Sequence, residues 1–261
     1  MEWARVQTKD HRSVVGIKDH RSVVGIIDGD VLMPRAGLGS DESTGDSIPL
    51  AEATLLPPVV PGKFFGLWNN FKAAAERNGW DTPEHPLYFL KPASSLAGPG
   101  ANVTLQADIG RVLFEGELGI VIGQTCTNIS EADAESAIFG YTCVNDITAL
   151  DILNADPSFP QWTRAKGFDG FGVIGPVIQT DVNWEDLTVK VMVGERERQS
   201  YPANDMIMSP AQIISKLSQD MTLSPGDVIA CGTSIGARPI KAGQEVTVVI
   251  DGIGNLPITI S

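Results

Sequence analysis

Histidine and cysteine are both scarce, with three of each among 261 residues. Cys126, Cys143 and Cys231 are widely separated, odd in number and without metal-ligand spacing, which argues against a disulfide framework or a cysteine zinc site. They read as reduced core thiols, and a cytoplasmic location is expected. With three histidines, a His-rich metal centre is equally unexpected. Basic residues are the minority charge: 19 Lys and Arg stand against 32 Asp and Glu, a net charge of −13. That surplus repels phosphate backbones, so no nucleic-acid partner is expected. No apolar run reaches the roughly 18 to 20 residues that span a bilayer, so no membrane partner is expected either. The opening Met1-Glu2-Trp3-Ala4-Arg5 lacks the basic and apolar regions of a secretory signal. Also missing are a GxSxG elbow, a GxxxxGKS/T phosphate loop, HExxH and paired CxxC, and with them several common hydrolase, nucleotide and zinc chemistries.

What is present is ordinary globular material, 43% hydrophobic and 20% charged. Its length suffices for a large core, as one large domain or a small one joined to a larger. Abundant Gly (27) and Pro (17) predict tight turns between short strands. Residues 9–17 read KDHRSVVGI, and residues 18–26 repeat them. At nine residues the unit is too short for a solenoid, and two strands joined by a polar loop is the simple reading. A recent duplication is an equal one, and His11 and His20 within it receive no functional weight. The run Leu56-Pro57-Pro58-Val59-Val60-Pro61-Gly62 cannot be helix and marks a boundary. It separates a small N-terminal domain, 1–59, from a larger one, 60–261. Helices are predicted from Asn69 or Asn70 to Asn78-Gly79, from Ser130 through Ile138, and from Ser209-Pro210. Strand-like stretches are Val112–Ile122, Val189–Val193, Val228–Cys231 and Val246–Ile250. Few helices and irregular strand spacing disfavour repeated βαβ units, so the predicted class is mostly β (α+β).

The most chemically informative stretch is Val112-Leu113-Phe114-Glu115-Gly116-Glu117-Leu118-Gly119-Ile120-Val121-Ile122. Positions i and i+2 of a strand share a face, so Glu115 and Glu117 point the same way among apolar neighbours. Two carboxylates in low dielectric repel, and a hard divalent cation relieves them; an edge strand with a solvated acidic face is the other reading. Asp146, in Val144-Asn145-Asp146-Ile147-Thr148, ends an apolar lead, as a functional residue or as a helix cap. Lys166 sits among aromatics and glycines, where it could steady an enolate or carboxylate; surface lysines are the commoner case. Cys231-Gly232-Thr233-Ser234-Ile235-Gly236 is a strand entering a Gly/Thr loop able to take an anion on backbone N–H groups.

In this order, the segments resemble the fumarylacetoacetate hydrolase superfamily over roughly residues 60–261. The matching stretches are Phe89-Leu90-Lys91-Pro92, Phe114 to Leu118, Gly140-Tyr141 through Asn145-Asp146, and Arg164-Ala165-Lys166-Gly167-Phe168-Asp169. Leu223-Ser224-Pro225-Gly226-Asp227, Gly232-Thr233 and Asp251-Gly252-Ile253-Gly254 complete the set. The resemblance implies a mixed β-roll catalytic domain behind a small N-terminal domain, a homodimer, and a Mg²⁺, Mn²⁺ or Ca²⁺ ion. It implies Glu115, Glu117 and Asp146 as metal ligands and Lys166 as an active-site lysine. Thr233 and Gly232 would meet the substrate, with Lys91 close by. The implied substrate is a small 2-oxo or β-diketo acid.

The chain also departs from the family pattern. Hydrolases of this type carry a His–Glu pair on a mobile helix; here Glu76 matches, while Ala73 stands where the His is expected. Leu150 and Leu153 replace a usual Arg and Gln, which implies a less polar pocket. Three functions are therefore carried forward. The first is a metal-dependent hydrolase that cleaves a C–C bond through a stabilised enolate, with Lys166 and Glu76 catalytic. The second is a decarboxylase or keto–enol isomerase, which needs no attacking water. The third is a non-catalytic ligand-binding homologue.

Overall fold

The computed structural model describes residues 1–8 and 22–261. Apolar stretches cut by Gly and Pro turns become mainly short strands gathered into three sheets. The largest has twelve strands. Its main path runs Ile48–Pro49, Val31–Pro34, Ser22–Asp28, Glu2–Thr8, Gly172–Gln179, Ile138–Asp146, Gly116–Ile122, Val228–Ala230, Phe64–Trp68 and Leu87–Lys91. A five-stranded sheet holds Arg196–Pro202, Thr188–Val193, Glu245–Ile250, Gly254–Ile260 and Ala101–Val103. The third joins Thr148–Ala149, Val112–Leu113 and Pro239–Ile240. The fold is mostly β, as the turn-rich composition predicts.

The boundary region after Leu56 links Ala53–Leu56 to Phe64–Trp68. Across it, Glu2–Thr8 pairs antiparallel with Gly172–Gln179, so the N-terminal strands extend the large sheet. Of the nine-residue repeat, residues 9–21, with His11 and His20, lie outside the described residues. The rest of the second copy enters Ser22–Asp28, whose neighbours are Glu2–Thr8 and Val31–Pro34.

The strand Gly116–Ile122 is buried at every position. Leu118, Ile120 and Ile122 face the main core, which also takes Val189, Val191, Val246 and Val248 from the five-stranded sheet. Val121 faces the other way, toward Val144, Ile174, Ile178 and Val228. Each such side chain contributes roughly 1.5–3 kcal/mol on burial, so both faces anchor this strand. The predicted continuous strand 112–122 is interrupted. Val112–Leu113 belongs to the three-stranded sheet, and Phe114 and Glu115 carry the chain across to the large one. The crossing is fixed by backbone bonds: Phe114 donates to the Arg238 carbonyl, and the Glu115 carbonyl accepts from Asp146.

Two predicted helix starts hold. Ser130 caps Glu131–Ala134, and Ser209 with Gln212 forms a capping box on Pro210–Asp220. The helix predicted from Asn69 is Lys72–Asn78, and neither asparagine caps it. Asn70 instead bridges to the Cys231 carbonyl and the Met208 N–H, both at 2.9 Å, and Asn69 donates to the Asp81 carbonyl. The orphan N–H of Ala73 goes to a distant residue, Asp205, at 3.0 Å. This cap comes from 132 positions along the chain, beyond the reach of a local pattern. Gly79, at φ 66°, ends the helix in the left-handed region. Asp205→Ala is expected to cost about 1 kcal/mol, as other cap deletions do; urea titration should show a lower midpoint at unchanged slope.

Candidate active site

Strand periodicity builds the floor. In the pairing of Gly116–Ile122 with Ile138–Asp146, Glu117 lies opposite Val144. Two residues beyond Val144 on the same face comes Asp146, and Glu115 precedes Glu117 by the same interval. One carboxylate oxygen from each of Glu115, Glu117 and Asp146 lies within 4.8 Å of the others. Two lysines close the group. Lys91, at the end of Leu87–Lys91, donates to Asp146 Oδ1 at 2.5 Å and to the Lys166 carbonyl at 2.7 Å. Lys166, ending the helix Trp162–Lys166, donates to Asp146 Oδ2 at 2.6 Å and Glu115 Oε2 at 2.7 Å.

Burial sets the electrostatics. Burial alone would raise the Asp146 carboxyl, but Lys166 and Lys91 outweigh it and hold the group below its usual range. Burial lowers the Lys91 ammonium, with partial restoration by Asp146. Burial would also lower Lys166, yet Asp146 and Glu115 keep it well above the ordinary lysine value. Glu117 fares worst. Burial, then the Asp146 charge, push its carboxyl well above normal, and Lys166 offsets only part of this. Glu117 Oε2 accepts from the Gly232 N–H at 2.7 Å, while buried Oε1 has no hydrogen-bond partner among the described residues.

An unpartnered carboxylate oxygen beside two further carboxylates calls for a cation. Ligands of one Mg²⁺, Mn²⁺ or Ca²⁺ lie about 2.0–2.6 Å from it, hence within about 5 Å of each other. The three side chains meet that limit with hard oxygen donors, so they fit such an ion.

Above this floor opens a cleft of about 1020 Å³ that Glu115, Lys166 and Thr233 line. Thr233 donates to the Gly116 carbonyl at 2.9 Å and accepts from Gln199 Nε2 at 2.8 Å. One wall is aromatic. The Phe89 ring lies across Gly66, where a Cβ would come within 2.3 Å of it, and stacks on Trp162 at 5.2 Å. Leu113, Leu150 and Leu153 line the same cleft, in keeping with the less polar pocket expected from the sequence.

The structure thus brings Glu115, Glu117, Asp146, Lys166 and Lys91 together, with Thr233 at the cleft. Gly232 joins differently from the expectation, since its N–H is taken by Glu117 and it is not part of the cleft lining. Lys91 is buried behind Asp146 and is not part of the lining either. Glu76 is not brought in: it is exposed on Lys72–Asn78, whereas Arg77 and Asn78 of that helix line the cleft. Sequence reasoning passed over Thr148, whose hydroxyl donates to Glu115 Oε1 at 2.8 Å, although it stands two residues from Asp146. It also passed over Gln199, which braces Thr233 and the Gly116 N–H from a strand of polar, surface-like sequence.

The carboxylate triad and buried lysine thus lie at the base of a cleft in a mostly β fold, the arrangement of a site for a small anionic ligand. Comparison with known proteins gives the family. The profile described as "Fumarylacetoacetate (FAA) hydrolase C-terminal" matches residues 63–261. Protein Rv2993c of Mycobacterium tuberculosis is 39% identical over 221 residues, 84% of this chain and 82% of that protein. Among solved structures, 5-carboxymethyl-2-hydroxymuconate delta-isomerase from Mycobacterium smegmatis superposes with a TM-score of 0.87 at 35% identity, covering 100% and 98% of the two chains. Maleylpyruvate hydrolase from Sphingobium sp. SYK-6, solved with manganese(II) and pyruvate, gives 0.78 at 26% identity, again covering 100% and 98%. The chain belongs to the fumarylacetoacetate hydrolase family, and the two structures named above are an isomerase and a hydrolase.

The strained state of Glu117 has a measurable consequence. Mn²⁺ or Mg²⁺ at about 100 times its Kd should stabilise the protein by about 2.7 kcal/mol, read as a rise in Tm. Glu117→Gln should abolish that rise. In EDTA, the same variant should unfold at a higher temperature than the parent protein, because a buried carboxyl that the fold obliges to take up a proton at neutral pH is gone.

Proposed function

We propose that this protein is a divalent-metal-dependent enzyme acting on a 2-oxo or β-diketo acid by stabilising its enolate. The observation that carries the reading is the unpartnered Glu117 oxygen inside a carboxylate triad, with Lys166 bonded to two of its members. The manganese and pyruvate bound by the Sphingobium hydrolase support it. When bound by Glu115, Glu117 and Asp146, the cation supplies Lewis-acid polarisation of adjacent substrate oxygens.

The chain's own residues do the rest. Lys166, kept protonated by Asp146 and Glu115, presents a fixed positive charge to the cleft, where negative charge develops on the substrate oxygen. Lys91 is a positioning residue that ties Asp146 to the end of the Lys166 helix. Thr148 holds the second Glu115 oxygen, and Gln199 fixes the Thr233 hydroxyl. The aromatic and aliphatic walls thin the water around these charges, and their interactions strengthen as the local dielectric falls.

Tautomerisation or decarboxylation is the reaction this geometry supports best. Hydrolysis needs a group that activates water, and among the described residues lining the cleft there is no histidine. The only carboxylate there, Glu115, is already held by Lys166 and Thr148. Hydrolytic C–C cleavage is the second reading, favoured by the similarity to maleylpyruvate hydrolase.

An acylpyruvate, oxaloacetate and a 2-hydroxy-2,4-dienoate, each incubated with the Mg²⁺ or Mn²⁺ protein, separate these outcomes. Loss of enol absorbance without new acids indicates isomerisation, CO₂ indicates decarboxylation, and two acids without CO₂ indicate hydrolysis. EDTA should silence every one of them. No turnover with any member of the panel would sink the enzymatic proposal in favour of ligand binding alone. Lys166→Met should lower kcat by about 10²–10³-fold, the usual loss for a charge-stabilising donor, with metal content retained.

A further inference from the structure

Resting on the 2-oxo acid reading above, we infer that the cleft selects substrates whose group beyond the metal-binding head is a flat, apolar aryl ring. The aromatic wall is continuous from the charged floor to solvent. Lys166 Nζ stands 5.0 Å from the centroid of Phe89. Phe89 stacks on Trp162 at 5.2 Å with 9° between planes. Trp162 meets Trp68 at 6.0 Å, and Trp68 meets Trp80 at 4.8 Å. At the outer end Trp80 is 38% exposed. All four rings line the cleft, three of the chain's five tryptophans among them.

A core cluster would close these rings against each other and the sheets. Here they face an opening of about 1020 Å³, several times what a pyruvate-sized head can fill. Aromatic surface left facing water is unfavourable, and a flat ligand lying on it is favoured by both area burial and ring stacking. The wall also gives a direction. A carboxylate and keto oxygen at Glu115 and Lys166 place the remainder of the molecule along Phe89, Trp162 and Trp68. Arg77 and Arg238 offer a rival, since both line the cleft and could hold a second carboxylate. Both are exposed side chains, whereas the aromatic track is buried where it begins at Phe89. The track is therefore the better-built subsite.

Three inert 2-oxo acid mimics that share one head test this. Oxamate is the head alone, N-phenyloxamate adds an aryl group, and N-oxalylglycine adds a carboxylate. Titration calorimetry of the Mn²⁺-saturated protein should show N-phenyloxamate binding about tenfold or more tightly than oxamate, the scale of one stacked ring with its buried area. Trp162→Leu, which keeps apolar bulk but removes the flat face, should lower that preference to less than about threefold. Trp68→Leu, at the next ring along the track, serves should the first variant fail to fold; it should narrow the preference too. The inference is overturned by equal affinities for oxamate and N-phenyloxamate, by N-oxalylglycine binding tightest, or by variants that weaken all mimics alike. Metal-dependent oxamate binding without an aryl preference overturns this inference alone. An aryl preference that persists in EDTA, with oxamate silent, supports the wall and overturns the metal reading. Binding of none of the three overturns both.

Discussion

Five ionisable side chains share the floor of the cleft: Glu117, Asp146, Lys91 and Lys166 buried, and Glu115 partly open to it. Three carboxylates meet two ammoniums, and the lysines bond Asp146 and Glu115 and leave Glu117 with one backbone N–H. Buried charge is tolerated when paired and penalised when single. The Glu117 carboxyl, whose ionised form burial and the Asp146 charge disfavour, is thus the member of the centre that most calls for a cation. The fold holds it in place by enclosing the Gly116–Ile122 strand on both faces.

That enclosure is assembled from distant pieces. Glu117 comes from one strand and Glu115 from the crossing just before it, Asp146 from the antiparallel neighbour, Lys91 from the far edge of the sheet, and Lys166 from a short helix. Each charge is placed by a register or a helix end. A one-residue slip in any pairing would turn its side chain to the opposite face. The asparagines before Lys72 serve the same purpose: Asn70 clamps the Cys231 carbonyl next to Gly232, the donor to Glu117. Asp205 then caps the helix in their stead. Rigidity around the floor is distributed over many long-range bonds.

This division decides what could be read beforehand. The shared face of Glu115 and Glu117 follows from a period of two, and Asp146 and Lys166 stand in recognisable stretches, so four members of the centre were legible. The break at Phe114 was not, because an apolar run continues through it and only the pairing of Val112–Leu113 with Pro239–Ile240 reveals the crossing. Asn69 and Asn70 looked like caps because cap chemistry is local, whereas Asn70 bonds the remote Met208 and Cys231 and Asn69 reaches past the helix to Asp81. Gln199 carried no signal at all, lying in a strand of charged and polar residues. Glu76 matched a pattern in sequence but sits exposed, away from the cleft. Local periodicity was readable; partnerships across more than a hundred residues were not.

The charge count also constrains the ligand. With a divalent cation holding all three carboxylates ionised, the cluster would carry one net positive charge. A singly charged 2-oxo carboxylate then brings it to neutrality, which is the cheapest state for a group this deeply buried. In the proposed reaction, charge moving onto the keto oxygen would be met by Lys166, which Asp146 and Glu115 prevent from losing its proton. The rest of the ligand meets mostly rings and aliphatic side chains along the inner cleft. One polar end neutralised at the floor, and an apolar remainder along the wall, is the distribution that leaves neither charge nor aromatic surface without a partner.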